Sequence, residues 1–131
     1  MKLFSYELKK ELNNNNLREV FFQTVSNLSW ANEVYLVASG ISEEDSFYDE
    51  YKRLNNSFGI GLIKISTEDP SDCQILFQAK QRDEVDIETM NILSKINIDF
   101  KDFLKDIRDD YSNQRIRGEY DKIITVEELY V

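Results

Sequence analysis

Between Lys2 and Ser66 the spacing of apolar residues switches back and forth between a strand period and a helix period, and this alternation most narrows the folds open to the chain. The stretch "KLFSYELKKEL" alternates residue by residue. Phe4, Tyr6 and Leu8 share one face and Ser5, Glu7 and Lys9 the other, the pattern of a half-buried strand. After the loop "NNNN" (Asn13 to Asn16), Leu17, Val20, Phe21, Val25 and Leu28 recur at helical spacing. A helix is predicted over 17–29, with Asn16 as N-cap and Glu19 as its capping-box partner. "EVYLVAS" is a short apolar run, read as a strand buried on both faces. Ser42 with Asp45 opens a second helix, with Phe47, Tyr51 and Leu54 inward and Asn55-Asn56 at its end. "IGLIKIS" is the third strand.

Asp69-Pro70 marks a turn in "TEDPSD", and "QILFQAK" is a strand expected to pair with the one before it as a hairpin. Asp86 caps a helix carrying Ile87, Met90 and Leu93. "NIDFKDFLKDIRDDY" is a further helix, with Phe100, Phe103, Leu104, Ile107 and Tyr111 inward. In the tail "RIRGEYDKIITVEELYV", "KIITV" is open to two readings, a small strand or an arm packed on a neighbour. The order is β-α-β-α-β-β-α-α. Strands joined through helices pair in parallel by right-handed crossovers, so the class is α/β. A single domain is expected over 1–131, with no structure assigned to the tail 112–131.

Composition removes several functions. The chain is 41% hydrophobic, enough for a packed core, and no apolar run reaches the roughly 18 residues of a membrane span. The N-terminus has neither an apolar signal core nor a cleavage site, so a cytoplasmic location and no membrane partner are expected. There is no histidine, which excludes Ser/His/Asp and Cys/His nucleophilic sites and histidine-containing zinc sites. A metal would need oxygen ligands, which points to a hard ion such as Mg²⁺. Cys73 is alone and cannot form an internal disulfide. Net charge is −9, unfavourable for general nucleic-acid binding. The acidity is uneven: residues 1–39 carry four basic and four acidic side chains, whereas residues 66–131 carry nine and sixteen.

Two residues near the start are of chemical interest. Glu7 and Lys9, spaced by two, project to the same side of a strand. A carboxylate there can hold Mg²⁺, while a lysine can orient a water or stabilise charge on a reacting phosphate. The bare pattern is common, since composition alone yields about two matches. Three occur, and Glu50/Lys52 and Asp99/Lys101 fall on helices, where a spacing of two turns side chains apart. Gln23, on the following helix, is either a solvated position or an amide that reaches phosphate or metal-bound water. The Asp-rich segment "DFKDFLKDIRDDY" lacks the glycine turn of a calcium loop and reads as a solvated face. Gly59 and Gly61 precede a strand and form no dinucleotide fingerprint. Trp30 reads as core packing.

"FSYELKK", "LREVFFQTVSNLSWANEVYLVASGI", "FGIGLIKIS" and "ILFQAKQRDEVDIETMNILSKINIDFKDFLKDI", in this order, resemble the C-terminal part of HrgA-type bacterial proteins. Those are associated with restriction loci and join a winged-helix module to a restriction-endonuclease-like domain. The resemblance covers about residues 3–108 and implies membership of the PD-(D/E)XK nuclease superfamily, with a mixed sheet flanked by helices. By position, Glu7 and Lys9 match the (D/E)XK element, and Gln23 the glutamine often found on the next helix. Glu7 is then the metal ligand, Lys9 the water- or transition-state-stabilising residue, and DNA the substrate, approached through the N-terminal half.

The superfamily's first metal-binding Asp sits on a strand before E-x-K, and nothing here precedes Met1-Lys2. The expectation is therefore either the C-terminal part of a longer Mg²⁺-dependent endonuclease, lacking the first strands and weakly active or inactive alone, or a remnant without nuclease activity. The alternative of a different class is a non-catalytic interaction module that keeps the fold. Its N-terminal strand edge would pair with a partner chain or, in a homo-oligomer, with another copy.

Overall fold

The computed structural model describes residues 2–114 and 116. It divides into two compact units, Met1–Asp86 and Ile87–Val131.

The first unit contains β1 (Phe4–Leu12), α1 (Leu17–Val25), a 3₁₀ turn (Ser26–Ser29), β2 (Glu33–Ile41), α2 (Asp45–Phe58), β3 (Gly61–Ile65) and β4 (Cys73–Phe77). The sheet order is β1-β2-β3-β4. β1, β2 and β3 are parallel, as helical crossovers require, and β4 returns antiparallel to β3 as a hairpin. The mixed α/β class and the strand sequence expected from the periodicity are present. β2 is central, and Glu33 through Ala38 are all buried, as the unbroken run "EVYLVA" implies.

The side of the sheet carrying Val34, Leu36, Ala38 and Leu62 packs against Leu17, Val20 and Phe21 of α1 and Phe47 and Tyr51 of α2. Both crossovers thus deliver their helices to one face. Phe21 meets Tyr51 edge-on with ring centroids 5.7 Å apart, and Phe77 of β4 lies 5.0 Å from Tyr51. The buried Tyr51 hydroxyl donates to the carbonyls of Ile60 (3.2 Å) and Gly61 (2.9 Å).

On the opposite face Tyr35 folds over Gly61, where any Cβ would collide with the Tyr35 ring and come within 2.7 Å of the Ala79 nitrogen. Tyr6 stacks on Tyr35 at 5.9 Å with the planes 15° apart. Asn32 fastens the lower end of the sheet. Its Oδ1 accepts from Leu3 N (2.8 Å), and its Nδ2 donates to the Arg82 carbonyl (2.7 Å).

Several local expectations are corrected. Asn16 does not cap α1: its amide turns back into the loop, accepting from Asn13 N (2.9 Å) and donating to the Glu11 carbonyl (2.9 Å). α2 begins at Asp45 after an extended Glu44, and Ser42 Oγ accepts from Glu44 N instead of capping the helix. α2 also continues past Asn55 to a left-handed Gly59 (φ 75°), whose N–H donates to the Asn55 carbonyl. Asn55 serves the next segments, because its Nδ2 donates to the carbonyls of Ile60 (3.0 Å) and Gln78 (2.9 Å).

The second unit is a helical hairpin, α3 (Ile87–Ile96) and α4 (Ile98–Asn113), with Asn97 Oδ1 accepting from Phe100 N to cap α4. Phe103 and Tyr111 are exposed, and Phe100, Leu104 and Ile107 are only half-buried, so the inward stripe expected for α4 is not a buried core. Two helices share one groove, too little to enclose either stripe. The "KIITV" segment lies outside the described residues.

Candidate functional site

Among the described residues β1 is an edge strand. Its N-terminal end is fixed by Leu3, whose carbonyl accepts from Asn32 N (2.7 Å) and Glu33 N (3.3 Å). Alternate residues of a strand turn their backbone groups to opposite edges. With Leu3 turned to β2, the N–H and C=O groups of Phe4, Tyr6 and Leu8 face the open edge. Near its end the strand changes phase: Ser39 Oγ donates to the Lys10 carbonyl (3.1 Å) and Ser42 N to the Leu12 carbonyl (2.9 Å). That change lets Leu12 and Ile41 enter the core.

The facing of β1 reverses what its alternation suggests. Phe4, Tyr6 and Leu8 are 46%, 53% and 67% exposed, whereas Ser5 is buried and Glu7 and Lys9 are partly covered on the helix-bearing side. The register explains it. Ser5, Glu7 and Lys9 lie beside Val34, Leu36 and Ala38, which the helices cover. The apolar set lies beside Glu33, Tyr35 and Val37, on the side without a helix from this unit. The exposed Ile75 of β4 sits on that same side, opposite Ile63.

Glu7 and Lys9 are brought together, with Lys9 Nζ 3.8 Å from Glu7 Oε1 and the side chains 41% and 33% exposed. A pair this open to water contributes under about 1 kcal/mol to stability. The Glu7 carboxylate offers the hard oxygen that Mg²⁺ prefers, although Lys9 competes for that same oxygen. Among the described residues no group of three or more His, Cys, Asp or Glu side chains is arranged to hold a metal ion. Gln23 is not joined to the pair. It lies on the exposed flank of α1, beside the buried stripe Leu17, Val20, Phe21 and Thr24, and its carbonyl accepts from Ser26 Oγ.

A separate polar pocket of about 380 Å³ opens at the C-terminal ends of β2 and β3, lined by Ser39, Lys64, Ser66, Thr67, Asp72 and Gln74 among others. Glu7 and Lys9 do not line it. No helix among the described residues is long and apolar enough to cross a membrane. Comparison with models of known families, with curated proteins and with solved structures returns no match.

Signals missed in the sequence are the outward apolar set Phe4, Tyr6 and Leu8 and the fastening residue Asn32. The first was readable in principle. Two successive right-handed crossovers running in one direction across a sheet place both helices on the same face, leaving the other without a crossover helix.

Proposed function

We propose that this chain is an association module whose working surface is the open edge of β1, which accepts a further β-strand from a partner. The observation that carries this is the edge itself. Phe4, Tyr6 and Leu8 turn their backbone groups outward and expose their side chains on one face. Strand addition uses those two features together, backbone hydrogen bonds for affinity and alternate side chains for selection.

Amide hydrogen exchange tests it. In dilute protein the amides of Phe4, Tyr6 and Leu8 exchange fast, while those of Ser5, Glu7 and Lys9, bonded to β2, are protected. Synthetic peptides with apolar residues at every second position and lysines between them, chosen because the chain is acidic, should protect the first set and leave the second unchanged. A titration in which no such peptide slows exchange at Phe4, Tyr6 and Leu8 rules the proposal out.

A second reading is favoured by the Glu7–Lys9 pair, set on a parallel strand that leads through a helix into another parallel strand. It is a restriction-endonuclease-like half-site acting on DNA in an intact parent. Glu7 would hold Mg²⁺ together with substrate phosphate, and Lys9 would orient the attacking water or stabilise the developing phosphate charge. Bound there, the ion would act as a Lewis acid on the phosphodiester. Gln23 belongs to this reading as a phosphate- or water-contacting amide. Little or no plasmid cleavage is expected from the chain alone with Mg²⁺ or Mn²⁺. Robust cleavage lost in Glu7→Ala would show the half-site to be sufficient. Cleavage indifferent to Glu7→Ala and Lys9→Ala would remove these residues from the chemistry.

A further inference from the structure

The geometry points to a second copy of this chain as the strand that fills the β1 edge, paired antiparallel about a twofold axis at Leu8. This rests on the strand-accepting edge proposed above and names its occupant. The argument is one of self-complementarity. A twofold axis normal to the sheet keeps each face on its own side, so a β1–β1 contact can only oppose residues of the same face.

Within that limit the charges select the register. Centring on Leu8 places Glu7 opposite Lys9 of the second copy and Lys9 opposite its Glu7, two reciprocal ion pairs, and opposes no like charges from Ser5 to Glu11. Centring on Glu7 faces Glu7 with itself. Centring on Lys9 sets Lys9 against Lys9 and Glu7 against Glu11. Centring on Tyr6 removes the ion pairs and brings Lys10 opposite Lys2. A parallel arrangement in matched register lines up Glu7 with Glu7 and Lys9 with Lys9.

The backbone agrees with the Leu8 register. Leu8 turns its N–H and C=O to the open edge, so Leu8 and its copy exchange both hydrogen bonds. Glu7 and Lys9 then occupy the non-hydrogen-bonded positions, where opposing Cα atoms approach to about 4.5 Å and side chains interact most closely. On the outer face Leu8 meets Leu8, and because the Lys10 carbonyl turns back to Ser39 of β2 the regular ladder between the copies is confined to the strand centre around Leu8. The helix layer leaves Glu7 and Lys9 partly exposed, so their side chains are free to turn across the contact. The result is one continuous sheet running from β4 of one copy to β4 of the other.

Charge exchange tests this on the 131-residue chain by sedimentation equilibrium over a range of concentrations. The wild-type mass should rise from 15.5 kDa toward twice that value. Glu7→Lys and Lys9→Glu, each alone, oppose like charges twice across the axis and should weaken the dimer about tenfold or more. Mixing the two single variants should restore a dimer containing one of each. The double variant Glu7→Lys/Lys9→Glu should restore self-association. Circular dichroism checks that every variant is folded, and the two rescues separate a charge effect from a folding defect.

A wild-type dimer indifferent to the single swaps, or weakened by them without either rescue, overturns the proposed register. A wild-type chain that stays monomeric overturns the second copy as occupant. In that case, alternating peptides that still protect Phe4, Tyr6 and Leu8 preserve the strand-accepting edge for a different partner, and peptides that do not remove both proposals.

Discussion

Tyr51 carries two loads at once. Its ring lies among Phe21, Phe47 and Phe77, and its hydroxyl donates to the carbonyls at the α2–β3 junction. Burial pushes the hydroxyl's pKa far above the ordinary 10.0. The folded state therefore resists ionisation that the unfolded chain accepts freely. This contribution to stability is complete below pH 10 and is lost progressively as pH rises above it toward the folded value. Tyr51→Phe is expected to cost about 1–2 kcal/mol at neutral pH through the lost hydrogen bonds. It should also flatten the fall in stability above pH 10. Urea titrations at pH 7, 9 and 10.5 read both effects, and an equally steep alkaline fall in the variant would assign it to other tyrosines.

Among the elements, strand and helix order was legible because a change of hydrophobic period is a local property that survives folding. The facing of β1 was not. Alternation shows which residues share a face, and only the crossovers decide which face the helices cover. Cap positions failed for a related reason: Asn16, Ser42 and Asn55 each had a competing backbone partner that sequence does not display. For the site, a spacing of two sufficed to bring Glu7 and Lys9 together, but nothing local could orient Gln23 on α1. Asn32 shows how much one amide can join, since it holds Leu3 before β1 and Arg82 beyond β4. Asn32→Ala should cost about 1–3 kcal/mol, leaving two backbone groups without that partner. Asn32→Asp, which keeps the acceptor for Leu3 N, should leave only the Arg82 carbonyl without its donor. Exchange at the Leu3 amide distinguishes the two variants.

Across the whole molecule, every buried residue among those described precedes Asp86, and the helical hairpin after it has none. A core of this kind unfolds as one unit. Residues 1–86 alone are expected to melt cooperatively with their α/β circular-dichroism signature, whereas the hairpin 87–113 alone should show no cooperative transition. A non-cooperative melt of the 1–86 piece would mean that its core depends on the rest of the chain.

The Tyr6–Tyr35 stack has a use beyond packing. One ring belongs to the edge strand and the other to its buried neighbour, so the pair forms a coupled chromophore at the margin of the sheet. A strand arriving beside Tyr6 alters the surroundings of one ring directly and of the other only through the stack. The near-ultraviolet tyrosine bands should therefore register occupancy of the edge, while Trp30, beyond the 3₁₀ turn, provides a separate band for comparison. The molecule carries its own optical gauge of whether its margin is filled, readable without a label.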